Sequence, residues 1–154
     1  MLKGISPLLS PELLKTIAEM GHGDELVLGE SRGEIPFSMG DGNFPAASMN
    51  ARSIRCDGHG VPALLDAILQ LFPLDSFVET PVTLMAVAPG TMQGEPPIWT
   101  EFRDVIARHE PDAAIGFIDR FAFYDRSRQA YATVQTGESA LYACVILKKG
   151  VIKG

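Results

Sequence analysis

Apolar and polar positions divide the chain into alternating helical and extended stretches. Leu13, Leu14, Ile17, Ala18 and Met20 recur at helical spacing behind Ser10-Pro11-Glu12. Ser10 can cap, Pro11 suits a first helical position and Glu12 complements the positive end of the dipole, so a helix is predicted from there to Gly21. Residues 25–29, Glu-Leu-Val-Leu-Gly, read as a short buried strand. Residues 30–40 lose the pattern in a polar, Gly-rich stretch, read as a surface loop and an insertion. That stretch runs into the turn Asp41-Gly42-Asn43-Phe44-Pro45-Ala46. Further on, residues 53–56 read as a strand, and 61–71 as a helix with Pro62 near its start and Pro73 beyond its end. Residues 81–87 read as a strand, 98–109 as a helix carrying Trp99, Phe102, Val105 and Ile106 on one face, and 114–119 as a strand. A short helix through Gln129 precedes the last two strands, 131–135 and 142–147, which are close enough in sequence to be antiparallel. Helices interleaved with about six short strands predict an α/β fold with a helix-covered, largely parallel sheet.

Composition narrows the class. A chain of 154 residues, 46% apolar and 21% charged, is expected to form a single globular domain spanning 1–154. A net charge of −6, with no block of Lys or Arg, argues against a nucleic-acid binder. No apolar run reaches the roughly 18 residues of a membrane helix. Met1-Leu2-Lys3-Gly4 lacks the apolar core of a signal peptide, and Cys56 and Cys144 lack Cys-x-x-Cys spacing. The expectation is a cytoplasmic protein without a disulfide framework or zinc site. No G-x-G-x-x-G fingerprint for a nucleotide is present.

The residue with the clearest chemical potential is His22, between Gly21 and Gly23 at the joint of the first helix and strand. Glycine closes helices in the left-handed conformation and permits close approach of a ligand. An imidazole there can project from the scaffold, and its ordinary pKa near 6.5 suits proton transfer at neutrality. The alternative is an exposed loop histidine, and His59, also flanked by glycines, shows that the flanking alone is not diagnostic. Asp41 can orient a substrate hydroxyl or simply close an Asx-turn. Arg120 stands at a strand end, where open α/β sheets place ligand-contacting groups, and a solvated arginine is its alternative. Tyr142 taken alone reads as half-buried sheet packing.

Taken together, these stretches resemble the L-fucose mutarotases, which form one family with the D-ribose pyranases. The residues concerned are 2–25, Asn43-Phe44-Pro45-Ala46, Arg120-Phe121-Ala122-Phe123-Tyr124, Thr136-Gly137-Glu138 and Leu147-Lys148-Lys149-Gly150. The resemblance covers essentially the whole chain. It implies a three-layer α/β/α sandwich on a mixed, mostly parallel six-stranded sheet. It also implies ring-like homo-oligomers, a decameric ring among them, with active sites at subunit interfaces and neither metal nor organic cofactor. In it His22 matches the catalytic histidine, Asp41 the substrate-binding aspartate, Arg120 the sugar-binding arginine and Tyr142 the tyrosine of a Tyr-Gly-Asn motif. Two departures stand out. Residues 30–40 intervene before Asp41, which makes Glu30 a rival carboxylate. Tyr142-Ala143-Cys144 replaces Tyr-Gly-Asn, which leaves a main-chain group at Cys144 to serve where the amide is missing. The implied function is interconversion of the α and β anomers of a free monosaccharide, with L-fucose as the leading substrate. The alternatives are a D-ribose pyranase and a non-catalytic monosaccharide-binding protein.

Overall fold

The structure is a computed structural model that describes residues 2–29 and 52–153. The proposed insertion at 30–40, Glu30, Asp41 and the turn that follows it lie outside the described residues. The first helix, α1 (Pro11–Glu19), is capped by Ser10, whose side chain accepts from the Leu13 N–H, and Met20 closes it. It buries Leu13, Ile17 and Met20 and leaves Ala18 outside the core. The strand β1 (Glu25–Gly29) follows. Next come β2 (Ser53–Cys56), α2 (Val61–Leu69) and β3 (Val82–Met85), then α3 (Ile98–His109) and β4 (Ile115–Ile118). The chain finishes with α4 (Arg120–Gln129), β5 (Ala132–Thr136) and β6 (Val145–Lys148).

The six strands form one sheet in the order β2-β5-β1-β6-β3-β4. The pairs β2/β5, β5/β1 and β3/β4 are parallel, whereas β6 is antiparallel to both of its neighbours, β1 and β3. The last two strands run antiparallel, as their closeness in sequence predicts, but they do not pair, because β1 lies between them. The segment 137–144 carries the chain past β1, and β6 closes the gap between the two parallel halves. The last strand also starts later than expected, so Tyr142 precedes it. The second helix ends at Leu69, with Leu71 and Phe72 in the turn beyond.

Alternate residues of β1 separate the two faces, as the period of two along a strand requires. Leu26 and Leu28 join the large core with Leu13 and Ile17 of α1, Leu64 and Ile68 of α2, and Phe102 and Ile106 of α3. Val27 joins a smaller core with Met85, Ile146 and Phe123 and Tyr124 of α4. Among the described residues three helices therefore cover one face and α4 the other, giving the α/β/α sandwich. At the start of β1 the small core is closed by a charged cluster. Arg126 of α4 donates to Glu25 and, at 3.1 Å, to Thr83, while Lys148 Nζ stands 3.6 Å from Glu25. Among the described residues no helix is long and apolar enough to cross a membrane.

Candidate active site

The loop carrying His22 is fastened on both sides. The last carbonyls of α1 have no helical partner, and Lys149 Nζ donates to Ile17 O and to Met20 O, both at 2.6 Å. The Asp24 carboxylate accepts from the Gly21 N–H at 2.7 Å. Gly23 adopts φ +86°, which a side chain would resist, and its N–H donates to Lys149 O at 2.8 Å. The Lys149 N–H donates back to Asp24 O at 2.8 Å. His22 thus stands on a rigid loop with 44% of its side chain exposed.

Its partner is Asp75. Asp75 Oδ1 lies 3.1 Å from His22 Nε2 and accepts the Phe77 N–H at 2.9 Å. The carboxylate is only 3% exposed. Burial pushes its pKa up, but the Phe77 N–H, the bond and charge of His22, and the charge of Lys148 outweigh that and hold it below the usual carboxylate value. A carboxylate has no proton to give, so Nε2 carries the hydrogen of this bond, and the lone pair of the neutral ring sits on Nδ1. The Phe77 ring packs against the imidazole at 5.4 Å between centroids, tilted by 51°. Together they set the tautomer and the plane of the ring.

The segment Lys148-Lys149-Gly150 brings this pair together. On one side it bonds the His22 loop; on the other Lys149 bridges Leu74, Lys148 O accepts from the Asp75 N–H at 3.0 Å and the Gly150 N–H donates to Pro73 O at 2.8 Å. A Cβ on Gly150 would meet Leu74 O at 2.5 Å and Asp75 Cα at 2.8 Å, so this close approach needs glycine. Beside His22 opens a groove of about 620 Å³ lined mostly by apolar side chains, among them Ile5, Leu14, Leu71, Val151 and Ile152.

Arg120 and Tyr142 occupy the opposite end of the sheet. Asp119 caps α4, accepting from the Phe121 and Ala122 N–H groups, which places Arg120 at the first helical position directly beyond β4. Its guanidinium lies 5.1 Å from the centroid of the exposed Phe121 ring. Tyr142 is the one described non-glycine residue with a positive φ, at 58°. Trp99 Nε1 donates to its carbonyl at 3.0 Å, and its hydroxyl accepts from the Ala88 N–H at 3.1 Å and lies 2.8 Å from Thr91 Oγ1. His22 precedes β1, whereas Arg120 follows β4, which runs the same way, and Tyr142 precedes the antiparallel β6. Strands of four or five residues span roughly 13–17 Å at 3.2–3.4 Å per residue. The structure therefore brings Arg120 and Tyr142 to one end of the strands and His22 with Asp75 to the other.

Cys144 is 1% exposed and lies in the small core, and Ala143 is buried in the large one. Among the described residues no three His, Cys, Asp or Glu side chains gather to hold a metal ion.

A family model described as the RbsD / FucU transport protein family matches residues 3–152. The chain belongs to that family. The fucose mutarotase of Homo sapiens is 45% identical over 156 residues, which take in 98% of this chain and 94% of the human one. The crystal structure of the fucose mutarotase from Streptococcus pneumoniae, in complex with L-fucose, gives a TM-score of 0.85 at 45% identity. That match covers 99% of this chain and 100% of the other. Bacillus subtilis RbsD complexed with D-ribose, at 20% identity and a TM-score of 0.67 over 99% and 100% of the two chains, shares the fold.

In this RbsD / FucU family member, Asp75 escaped the reading of the sequence because it is 53 residues from His22. The available signal was a carboxylate inside the mostly apolar Leu71-Phe72-Pro73-Leu74-Asp75-Ser76-Phe77 run, two residues before the N–H it accepts. Thr91, in a loop with no periodic signal, was equally invisible.

Proposed function

We propose that this member of the RbsD / FucU family is a mutarotase that interconverts the α and β anomers of a free monosaccharide, with L-fucose as its substrate. The observation that carries the reading is the His22–Asp75 pair: an exposed imidazole with Nε2 held by a buried carboxylate, in a chain 45% identical to fucose mutarotases. Anomers interconvert when the bond from C1 to the ring oxygen opens to the aldehyde and recloses on its other face. One proton leaves the anomeric hydroxyl, one reaches the ring oxygen, and none is consumed overall. His22 moves one of these protons through Nδ1, and Asp75 stabilises the imidazolium while the ring is protonated. Asp41 and Arg120 hold the sugar through charge-assisted bonds, with Tyr142 and the main chain of Cys144 completing the set.

A strand length separates His22 from Arg120 and Tyr142 within one chain, more than one sugar ring bridges. This supports a site shared between copies in a homo-oligomeric ring, one copy bringing His22 and Asp75 and its neighbour Arg120, Tyr142 and Cys144. The apolar groove beside His22 and the exposed Leu2, Phe77 and Ile152 suit such a contact. Cys56 and Cys144 are both buried and make no disulfide with each other, which favours a reducing compartment, the cytoplasm.

The test is saturation-difference proton NMR on the anomeric signals of L-fucose and D-ribose. Wild-type protein accelerates α/β exchange of fucose, and His22→Ala loses about 100- to 10,000-fold of that rate. Exchange confined to ribose pyranose and furanose signals would make it a pyranase, which uses the same opening but recloses through another hydroxyl. Fucose binding without acceleration would make it a binding protein.

A further inference from the structure

We propose that Thr91 is a positioning residue that decides specificity, by taking up the single proton of the Tyr142 hydroxyl so that Tyr142 meets the sugar only as a hydrogen-bond acceptor. The proposal deepens the mutarotase reading, since it rests on Tyr142 facing the sugar. The directions of the bonds follow from which atoms own protons. Thr91 Oγ1 lies 2.6 Å from Ala88 O, and a carbonyl accepts only, so the one hydroxyl proton of Thr91 is committed there. Tyr142 Oη, 2.8 Å from the same Oγ1, must then be the donor of that second contact. The Ala88 N–H in turn donates to Tyr142 Oη at 3.1 Å. The three residues close a small ring in which Tyr142 gives its proton to Thr91, Thr91 gives its own to Ala88 O, and the amide of Ala88 donates to Tyr142. Tyr142 keeps lone-pair density for a ligand and no proton.

The surroundings hold this arrangement. Trp99 Nε1 fixes the Tyr142 carbonyl at 3.0 Å, and the left-handed φ of 58° turns Tyr142 out of the line of β6 toward the 88–91 turn. That turn is closed independently by the Thr91 N–H donating to Ala88 O at 3.2 Å. Thr91 itself is exposed, so changing its side chain leaves the core untouched.

An acceptor-only tyrosine selects for a hydroxyl that can donate. A sugar with fluorine in place of that hydroxyl offers a second acceptor, and two electron-rich atoms then face each other. Sites built to bond a substrate hydroxyl reject analogues that lack it by large factors.

Two measurements test this on the full chain. In the first, the Raman Fermi doublet of the phenol ring, whose intensity ratio separates a donating from an accepting hydroxyl, is read without ligand. The Tyr142 signal is isolated by subtracting the spectrum of Tyr142→Phe. Thr91→Val should shift the ratio toward an accepting hydroxyl and Thr91→Ser should keep it. An unchanged ratio in Thr91→Val overturns the proposal whatever sugar is bound. In the second, calorimetry compares L-fucose with its 2-, 3- and 4-deoxyfluoro derivatives. One derivative should bind wild type and Thr91→Ser about tenfold or more weakly relative to fucose, and Thr91→Val, with its Tyr142 proton released, should narrow that gap to about threefold. Equal ratios in all three proteins overturn the selectivity claim. A Raman shift with no binding of fucose leaves the Tyr142 proton assigned to Thr91 and removes the mutarotase reading instead.

Discussion

Replacing Asp75 by Asn removes a charge and almost nothing else. The Phe77 N–H points at Oδ1 from 2.9 Å, so the amide settles with its oxygen in that place and still accepts from His22 Nε2. The tautomer of His22 is preserved, and what is lost is the difference between a charged and a neutral acceptor. A hydrogen bond to a charged group contributes about 1.5–3 kcal/mol and a neutral one about 0.5–1.5 kcal/mol, so the imidazolium loses about 1–2 kcal/mol of support. At 1.36 kcal/mol per tenfold, kcat for fucose anomer exchange should fall about 5- to 30-fold. KM should change little, because Asp75 is buried behind the imidazole. The same substitution alters acid stability. The Asp75 pKa is lowered in the folded protein, so its contribution is present above the unfolded value of about 3.9 and is lost as pH falls through the folded value. The gap in urea midpoint between wild type and Asp75→Asn should therefore be largest near neutrality and shrink as pH falls below about 4. A folded Asp75→Asn protein with kcat within about twofold of wild type would refute the role of this carboxylate.

Three further substitutions probe the scaffold, two beside the His22–Asp75 pair and one beside Tyr142. Gly150→Ala drives a methyl to 2.5 Å from Leu74 O, so about 1–3 kcal/mol of stability and part of the activity should be lost together, read by thermal unfolding and NMR exchange. Lys149→Met withdraws two ammonium bonds from the end of α1. A loss of about 2–4 kcal/mol is expected, a fall in Tm of about 4–16 °C, and an unchanged Tm would mean that the cap does not support the loop. Trp99→Phe keeps an aromatic ring but removes the indole N–H and part of the buried volume, leaving the Tyr142 carbonyl without its donor; about 1–3 kcal/mol of stability should go, and KM for the sugar should rise while kcat holds.

Much of the fold was legible along the chain. The bounds of α3 and β1 match the reading residue for residue, because apolar spacing and the flanking prolines and glycines act over a few residues. His22 was legible as a projecting histidine for the same local reason, and Arg120 as a residue just beyond a strand. Less was legible where a partner lies far off in sequence. His109, in the last turn of α3, can complement the helix dipole, and its Nε2 also sits 2.7 Å from Asp66 of the neighbouring helix, 43 residues away. Trp99 reads as core, and it is buried, but its indole N–H also fixes Tyr142, 43 residues away.

The amino-acid pattern by itself determined the elements, their caps, the helix-covered character of the sheet and the position of an exposed histidine on a Gly-flanked joint. Each depends on contacts within a few residues. Only the tertiary structure decided that β6 slips between β1 and β3, with β1 standing between β5 and β6. That insertion carries Lys148-Lys149-Gly150 between the His22 loop and the Leu74-Asp75 turn and so creates the His22–Asp75 pair. It also puts Tyr142 at the far end of the strands, where the end of β4 puts Arg120. The register of distant strands is chosen by burial of both sheet faces at once, a condition no short window of sequence contains.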